Sequence, residues 1–264
     1  MNYLFIKNKK NYRILLYKDF LNTNLSIYLE QPYKLFNYSV QVYKNSKRTR
    51  ASSIIIDNQL YFFKSYNRRG LFHTFKSIVR KSRAFNALDT AIKLADLHIN
   101  TPLIIAAIEK RHINMVIESY CLTEFIDGIK IQNLLTKKDF NYLTNILTLL
   151  SHFIANIHNR NIFHGDLKAN NLLIDKRDQS KLWLLDLDSV KFKNKISLKE
   201  RAKDIARFIV SINNLVSQDS ILFFINNYIK KTDVLMKKEL FIETVNIEIS
   251  KIQKRHEKKA KLKR

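Results

Sequence analysis

The chain has 264 residues, of which 47 are Lys or Arg and 23 are Asp or Glu, so its formal net charge is +24. Hydrophobic residues make up 46% of the chain and aromatic residues 11%, which excludes an intrinsically disordered protein and is typical of one or two folded domains. The single cysteine, Cys121, excludes an intramolecular disulfide and a Cys-based zinc site.

The first half of the chain is predicted to be mainly β structure. Short runs rich in β-branched and aromatic residues over 35–66, separated by NSKRTR and by an Asp-Asn pair, predict three strands that follow one another as a meander. Apolar residues spaced three and four apart predict a helix over 82–97. Two further apolar runs, 104–108 and 115–125, predict strands that complete an antiparallel sheet.

The second half is predicted to be mainly helical. Apolar residues from Phe140 to Ile157 step by three and four and predict a long amphipathic helix, with Asp139 as its N-cap. The chain from about Leu198 onward is also predicted to be helical. These patterns indicate an α+β protein whose two halves meet near 127–134.

Two β-rich apolar runs after the long helix each adjoin a cluster of polar residues, in HGDLKANNLLI and in LLDLDSV. Asp166, Lys168 and Asn171 lie in the first cluster, and Asp186 lies in the second. Phosphoryl transfer requires an acceptor for the proton of the nucleophile, oxygen ligands for Mg²⁺ and a positive charge near the transferring phosphate. Carboxylate and amide oxygens suit Mg²⁺ and a lysine supplies the charge, so this order of residues favours a phosphoryl-transfer site.

These residues resemble the protein-kinase-like superfamily, whose catalytic loop reads His-Arg-Asp-Leu-Lys followed by Asn and whose metal motif is Asp-Phe-Gly. The two clusters are more similar to the lipopolysaccharide kinases that phosphorylate Kdo or heptose of the inner core, in which the metal motif commonly reads Asp-hydrophobic-Asp. The resemblance extends upstream to FFKSYNRRG and downstream to RAKDIARFIVSI, and covers roughly residues 35–215. It implies an ATP-dependent kinase with a two-lobed fold, in which the N-lobe has an antiparallel sheet with one helix and the C-lobe is mainly helical.

The resemblance also implies a role for each matching residue of the two clusters. Asp166 is expected to be the catalytic base toward a sugar hydroxyl, and Lys168 to steady the γ-phosphate. Asn171 and Asp186 are expected to hold magnesium. Asp188, the second acid of the Asp-Leu-Asp motif, is expected to touch the metal as well.

For the nucleotide, the resemblance points to residues of the predicted N-lobe. Lys64 is expected to contact the α- and β-phosphates of ATP. The NSKRTR loop contains no glycine, so Ser46 and Lys47 are candidates to bind phosphate through side chains and amides, although the loop can equally be a solvated hairpin tip. Glu124 falls where the hinge between the lobes is expected, and there its backbone, more than its side chain, would meet adenine.

One part of the kinase pattern is missing. The helical glutamate that pairs with the strand lysine in this superfamily falls at about Ala87 in this sequence. We expect that Asp89 substitutes from a neighbouring turn, that Lys64 is positioned differently, or that the enzyme is impaired.

With the resemblance, the chain is expected to contain an N-terminal extension over 1–34, the N-lobe over 35–126, the C-lobe over 127–250 and a basic tail over 251–264. The tail carries eight Lys or Arg and one Glu, which indicates either a solvated helix end or attraction to an anionic membrane. No run is apolar enough to span a membrane, and the N-terminus does not read as a signal peptide. We therefore expect a cytoplasmic protein that lies peripherally at the inner face of the inner membrane.

The function predicted from these observations is phosphorylation of a Kdo or heptose hydroxyl on the lipopolysaccharide core glycolipid, with ATP and Mg²⁺. The alternatives are a protein or small-molecule kinase of the same superfamily, or a basic pseudokinase or scaffold that binds membrane or nucleic acid. No obligate nucleic-acid partner is expected, because the chain has no zinc-finger spacing, no basic region with heptads and no RNP-type motif. A compositional bias toward Lys, Asn and Ile is a simpler explanation of part of the positive charge.

Overall fold

The chain divides into two compact units in the computed structural model. The first unit comprises Met1–Asp96 and Thr101–Ile126, and the second comprises Leu97–Asn100 and Asp127–Arg264. The structure describes residues 2–7, 12–46, 49–66, 81–112, 115–136, 139–233 and 237–261. Lys47, one of the predicted nucleotide-binding residues, lies outside the described residues.

The framework of the first unit is an antiparallel sheet. Within the described residues it contains seven strands in the order β1-β2-β6-β7-β5-β4-β3. They are β1 (Tyr3–Lys7), β2 (Tyr12–Tyr17), β3 (Ser39–Ser46), β4 (Thr49–Ile56), β5 (Gln59–Tyr66), β6 (Ile104–His112) and β7 (Met115–Glu124).

Strands β1 and β2 come from the segment 1–34, for which the sequence predicts an N-terminal extension. β2 buries Tyr12, Ile14 and Leu16 on one face and pairs along its length with β6. β1 in turn pairs with β2 and forms one edge of the sheet. The N-terminal residues therefore belong to the same sheet as the predicted strands.

Strands β3, β4 and β5 form the predicted meander. Asp57 and Asn58 connect β4 to β5, and both have a positive φ (49° and 60°), as a type I′ hairpin turn requires. The predicted first strand starts too early: Pro32–Tyr38 form a 3₁₀ helix, and β3 begins only at Ser39. The proline at the start of this segment fixes φ near the helical value, which favours a helical turn over a strand.

One face of the sheet packs against the segment that joins β2 to β3. This segment contains the short helix α1 (Leu25–Tyr28) and buries Leu25 and Phe36 in the core that the sheet forms. Phe63 of β5 is fully buried, and its ring lies 4.8 Å from that of Phe36 and 5.7 Å from that of Tyr120. These ring contacts join the sheet to its N-terminal cover.

Helix α2 (Arg83–Asp96) closely matches the predicted helix over 82–97 and packs against β6 and β7. Its buried face is rich in alanine, with Ala84, Ala87 and Ala91 all buried. Small side chains let a helix lie close to a sheet. These alanines therefore allow close packing of α2 and offer no polar side chain.

The second unit is mainly helical, as predicted. Asp139 caps the long helix by accepting a hydrogen bond from the backbone N–H of Tyr142 at 2.6 Å. The helices are α3 (Ile131–Leu135), α4 (Phe140–Asn159), α5 (Leu198–Ile212), α6 (Gln218–Lys231) and α7 (Lys238–Lys261). Helix α3 packs against α4, α4 against α6, and α5 against α7. None of the helices in the described ranges is long and apolar enough to cross a membrane.

Short strands connect these helices and carry the polar clusters. They pair in the orders β11-β10-β8 and β12-β9. They are β8 (Gly128–Lys130), β9 (Ile162–Phe163), β10 (Leu172–Asp175), β11 (Leu182–Leu184) and β12 (Lys191–Phe192).

The buried aromatic contacts of the first unit lead to a stability prediction. Replacing Phe63 with alanine removes a fully buried ring, so we expect a loss of about 3–5 kcal/mol in the free energy of unfolding, measured with urea. Phe5→Ala is the matched control, because Phe5 on edge strand β1 is 54% exposed, and we expect it to cost less than about 1 kcal/mol. Equal losses in the two variants would contradict this account of the core.

Candidate active site

A buried carboxylate holds the loop that follows β9. Asp204 of α5 is completely buried, and its two oxygens accept hydrogen bonds from the backbone N–H groups of His164 (2.7 Å) and Gly165 (2.9 Å). Gly165 has a φ of +78°, and a Cβ at this position would lie 2.8 Å from the carbonyl oxygen of Ser189. Only glycine fits this conformation and this close approach. The loop is therefore held by Asp204 on one side and by its contact with Ser189 on the other.

Three predicted site residues meet directly after this anchored point. The ammonium of Lys168 lies 2.7 Å from Oδ1 of Asp166, and both side chains are partly exposed. Asn171 ends a short 3₁₀ helix, and its Nδ2 donates a hydrogen bond to the carbonyl oxygen of Asp166 at 2.8 Å. The loop therefore presents a carboxylate, an ammonium and an amide together.

A buried histidine links this loop to the second polar cluster. The N–H of Asp166 donates to Nδ1 of His164 (3.3 Å), so Nε2 carries the proton and donates to the carbonyl oxygen of Leu185 (3.2 Å). Burial lowers the pKa of His164, which keeps the ring neutral and suits this pair of bonds. The N–H of Leu185 also donates to the carbonyl oxygen of Asn171 at 2.9 Å. Two separate connections thus tie the loop to the residue before Asp186.

Asp186 follows β11 in a left-handed backbone conformation, with φ 55° and ψ 66°. Few residues other than glycine adopt this region, and aspartate is one of the more tolerant. The side chain of Asp186 is exposed, whereas Asp188 lies half-buried in the 3₁₀ helix Leu187–Ser189 that follows. The chain thus turns sharply where the predicted metal motif begins.

The donor set of these clusters fits a hard divalent cation. Because the amide nitrogen of Asn171 donates to the loop, its amide oxygen is the atom that it can present to a metal. Together with the carboxylates of Asp186 and Asp188 this gives oxygen donors only, the type that Mg²⁺ prefers. Across the described ranges, no group of three or more His, Cys, Asp or Glu offers an alternative metal site.

Helix α5 begins with a capping box that fixes the position of Asp204. Ser197 Oγ accepts from the backbone N–H of Glu200, and the Glu200 carboxylate accepts from the N–H of Ser197. The ammonium of Lys193, 2.5 Å away, and the Ser197 donors lower the pKa of Glu200 to about 2. Its contribution to stability is therefore complete above the usual pKa of 4.5 and is lost as the pH falls toward 2.

Lys64, Ser46 and Glu124, which are predicted to bind the nucleotide, all belong to the first unit. Lys64 lies on β5, where it pairs with Ala51 of β4 on one side and Cys121 of β7 on the other. Ser46 ends β3, and its hydroxyl bonds to the backbone of Thr49, the first residue of β4. Lys64 thus lies on β5 between β4 and β7, and Ser46 lies at the hairpin end of β3 and β4.

Glu124 ends β7 and is bonded to Leu103 through both backbone and side chain. Its N–H donates to the carbonyl oxygen of Leu103 (3.0 Å), and its Oε1 accepts from the N–H of Leu103 (2.8 Å). The carboxylate is therefore engaged at the strand end.

Helix α2 does not place a glutamate at the expected position. Ala87 occupies it and is buried, and Asp89 forms an ion pair with Lys81. The ammonium of Lys64 lies 4.9 Å from the centroid of the Tyr66 ring.

A family model described as "Lipopolysaccharide kinase (Kdo/WaaP) family" matches residues 38–228. The chain belongs to this family. A solved structure described as "WaaP in complex with acyl carrier protein" aligns over 93% of this chain and 98% of that chain, with a TM-score of 0.63 and 14% identity. At this identity the structural match shows the fold alone. Curated protein sequences give no match.

Membership of the lipopolysaccharide kinase family confirms the predicted resemblance and shows that the chain is a phosphotransferase of a kinase family. The structural match confirms the predicted fold class, with an antiparallel sheet in the N-terminal unit and a mainly helical C-terminal unit. A kinase family implies ATP as the phosphoryl donor. The individual site residues stay predictions.

Asp204 is the residue of this family member that the sequence analysis missed. It occurs within RAKDIARFIVSI, which contributed to the resemblance, but no role was assigned to it. The available signal was a charged residue on a helical face that otherwise carries Ala202, Ile205 and Phe208, all of which are buried. An acid on such a face is rarely buried without partners, so the pattern indicates an internal polar contact.

Removing this contact tests how the loop is held. Asp204→Ala leaves two buried N–H groups without their acceptor, so we expect a loss of about 2–4 kcal/mol in the free energy of unfolding, measured with urea. Asp219→Asn, in the exposed first turn of α6, is the control and should change stability by less than about 0.5 kcal/mol. If Asp204→Ala unfolded at the same urea concentration as the wild type, Asp204 would not be the anchor of the loop.

Proposed function

We propose that the protein transfers the γ-phosphoryl group of ATP to a hydroxyl of Kdo or heptose in the inner core of lipopolysaccharide. The observation that carries this proposal is the Asp166–Lys168 pair, which lies 2.7 Å apart on a loop anchored by a buried acid, in a chain of the lipopolysaccharide kinase family. Family membership supports the class of acceptor. The choice between Kdo and heptose is left to the experiments below.

In this proposal Asp166 is the general base. It accepts the proton of the sugar hydroxyl as the hydroxyl oxygen forms a bond to the γ-phosphorus. The bond between the γ-phosphorus and the β–γ bridging oxygen breaks, and the products are ADP and the phosphorylated sugar. Lys168 supplies positive charge beside the base. There it stabilises the negative charge on the transferring phosphoryl group.

Asn171, Asp186 and Asp188 are the residues that would hold magnesium. Bound there, Mg²⁺ would neutralise charge on the phosphate oxygens of ATP. The chain's own contribution is orientation: the Nδ2 bond of Asn171 to the Asp166 carbonyl sets the direction of its amide oxygen relative to the base.

For the nucleotide, we propose that Lys64 contacts the α- and β-phosphates and that Ser46 binds phosphate from the end of β3. Lys47, which lies outside the described residues, is proposed to bind phosphate as well. The backbone near Glu124 would meet adenine. The bonds of the Glu124 side chain to Leu103 support a role for the backbone, because they already occupy the carboxylate.

Replacing the base tests the proposed chemistry. For Asp166→Asn we expect kcat to fall by about 10²- to 10⁴-fold, because a positioned base contributes about 3–5 kcal/mol to the barrier. The affinity for Mg-ATP, measured by calorimetry, should stay within about threefold, because Asp166 is not assigned to the nucleotide. Asp219→Asn is the control and should retain full activity. Undiminished phosphorylation by Asp166→Asn would refute the role of Asp166.

The acceptor is tested separately with the wild-type protein. Purified core glycolipid and a protein mixture are each incubated with the enzyme and ATP, and the phosphorylated products are identified by mass spectrometry. Phosphate on the glycolipid, matched by its loss from cells that lack the gene, is the expected result. Phosphate only on protein would favour the second kinase function, and no ATP turnover with any acceptor would favour a pseudokinase.

We further propose that the enzyme lies at the anionic inner face of the inner membrane, and that the end of α7 attracts it there. Over residues 251–261 this helix carries six Lys or Arg and one Glu, and its side chains are almost all exposed. Each basic residue near an anionic surface contributes about 1 kcal/mol at moderate salt. A lipid-embedded acceptor would thus be found at the surface to which the enzyme binds.

A pair of charge reversals tests this surface. Lys254→Glu/Lys258→Glu changes the net charge by four units on one face of α7, and we expect at least tenfold weaker binding to vesicles with phosphatidylglycerol at low salt. Arg177→Glu/Lys195→Glu changes the charge equally at two other exposed positions and should bind nearly as the wild type does. Equal losses in both double variants would indicate that net charge, rather than α7, drives binding. Unchanged binding after truncation behind Ser250 would exclude the helix end altogether.

A further inference from the structure

Three helices of the second unit meet at a buried histidine. The Nδ1 atom of His158 on α4 lies 2.7 Å from the hydroxyl oxygen of Tyr228 on α6, and its Nε2 atom lies 3.5 Å from Oδ2 of Asp204 on α5. All three side chains are completely buried. They therefore form a continuous polar chain inside the helical core, and this chain ends at the carboxylate that holds the loop after β9.

The protonation of this chain follows from its burial. Burial lowers the pKa of His158 and outweighs the opposite effect of the Asp204 carboxylate, so the ring is neutral and carries one proton. A lone pair on Nε2 would face a negative oxygen, so Nε2 carries this proton and directs it at Asp204. Burial also raises the pKa of Tyr228, which keeps its hydroxyl protonated. The hydroxyl of Tyr228 is therefore the donor, and Nδ1 of His158 is the acceptor.

Tyr228 thus selects the form of His158 that Asp204 requires. A neutral histidine can carry its proton on either ring nitrogen, and the hydrogen bond at one nitrogen determines which form is present. Because Tyr228 donates to Nδ1, the form with the proton on Nε2 is favoured, and this proton is the one that faces the carboxylate. The carboxylate of Asp204 then has a side-chain donor in addition to the two backbone N–H groups of the loop.

Aromatic packing holds the hydroxyl of Tyr228 in place. The ring of Tyr228 meets the His158 ring edge to face, with centroids 5.6 Å apart, and stacks on the ring of Phe241 at 5.5 Å. The buried guanidinium of Arg201 donates to the carbonyl oxygen of His158 at 3.2 Å and so fixes the end of α4. These contacts set the ring and the backbone, whereas the hydroxyl sets the direction of the polar chain.

We infer that Tyr228 is a positioning residue for the proposed phosphoryl transfer, and that it acts through His158 on Asp204. Asp204 in turn holds the loop that presents Asp166. This inference rests on the proposed role of Asp166 as the base and adds to it a residue of α6. A small displacement of a base relative to its substrate slows the chemical step strongly. Loss of the Tyr228 hydroxyl should therefore lower kcat and leave the binding of ATP nearly unchanged.

Tyr228→Phe removes the hydroxyl and keeps the ring, so it tests the hydrogen bond alone. With core glycolipid and ATP, we expect kcat to fall at least tenfold and the KM for ATP to stay within twofold of the wild type. Phe241→Leu is the matched control, because Phe241 is completely buried against the Tyr228 ring and contributes no polar atom. It should lower the urea midpoint at least as far as Tyr228→Phe does and keep kcat within twofold. A merely structural role of Tyr228 would leave kcat equal in the two variants.

A double variant tests whether Tyr228 acts through His158. His158→Asn removes the ring that links the Tyr228 hydroxyl to the carboxylate of Asp204. If the hydroxyl acts through this ring, the fold-losses in kcat of Tyr228→Phe and His158→Asn should not multiply in the double variant. Fold-losses that multiply would show that Tyr228 acts by another route, and they would overturn the inference.

Spectroscopy of the wild-type protein gives an answer even if these variants do not fold. Nitrogen-15 spectra of labelled histidine side chains distinguish a ring nitrogen that carries a proton from one that does not, and contacts with the Tyr228 ring assign the signals of His158. At neutral pH we expect the proton on Nε2 and an unprotonated Nδ1 that accepts a hydrogen bond.

The outcomes separate this inference from the proposed function. A proton on Nδ1 of His158, or a folded Tyr228→Phe with the kcat of the wild type, would overturn this inference and leave the proposed function standing. A wild type that transfers no phosphate from ATP to the core glycolipid would overturn the proposed function, and with it the expected effect of Tyr228 on kcat.

Discussion

The double hydrogen bond from the loop after β9 to the buried carboxylate of Asp204 is the interaction on which the position of this loop depends. A fully buried carboxylate is costly unless several donors satisfy it, and the N–H groups of His164 and Gly165 do so at 2.7 and 2.9 Å. The helix that carries Asp204 is fixed in turn by its Ser197 capping box and by its packing against α7. The position of Asp166 is thus set by the helical framework through two backbone bonds.

Much of the fold follows from local sequence signals, and the exceptions have physical reasons. The N-cap at Asp139 was predictable because capping is decided within one turn. β2 was not, because YRILLY becomes recognisable as a strand only through its pairing with β6, far along the chain. The composition of Pro32–Tyr38 is typical of β structure. The segment nevertheless forms a 3₁₀ helix, because Pro32 favours a helical turn.

The candidate site shows the same division between local and distant signals. Asp166, Lys168 and Asn171 are close in sequence and were recognisable from their spacing, and the structure brings them into direct contact. Asp204 lies far from them along the chain, so only the fold reveals that it holds the loop. Sequence motifs indicate the residues proposed to react, whereas tertiary packing identifies the groups that position them.

The tight approach at Gly165 bears on how this enzyme can diverge. The loop and the segment around Ser189 touch there, and the Leu185–Asn171 bond closes the chain between them at the base of the hairpin of β10 and β11. Insertions and deletions can accumulate in the exposed residues 176–180 of that hairpin without altering the closure. Genetic drift at Gly165 is far more restricted, since any side chain would push the loop and the segment around Ser189 apart.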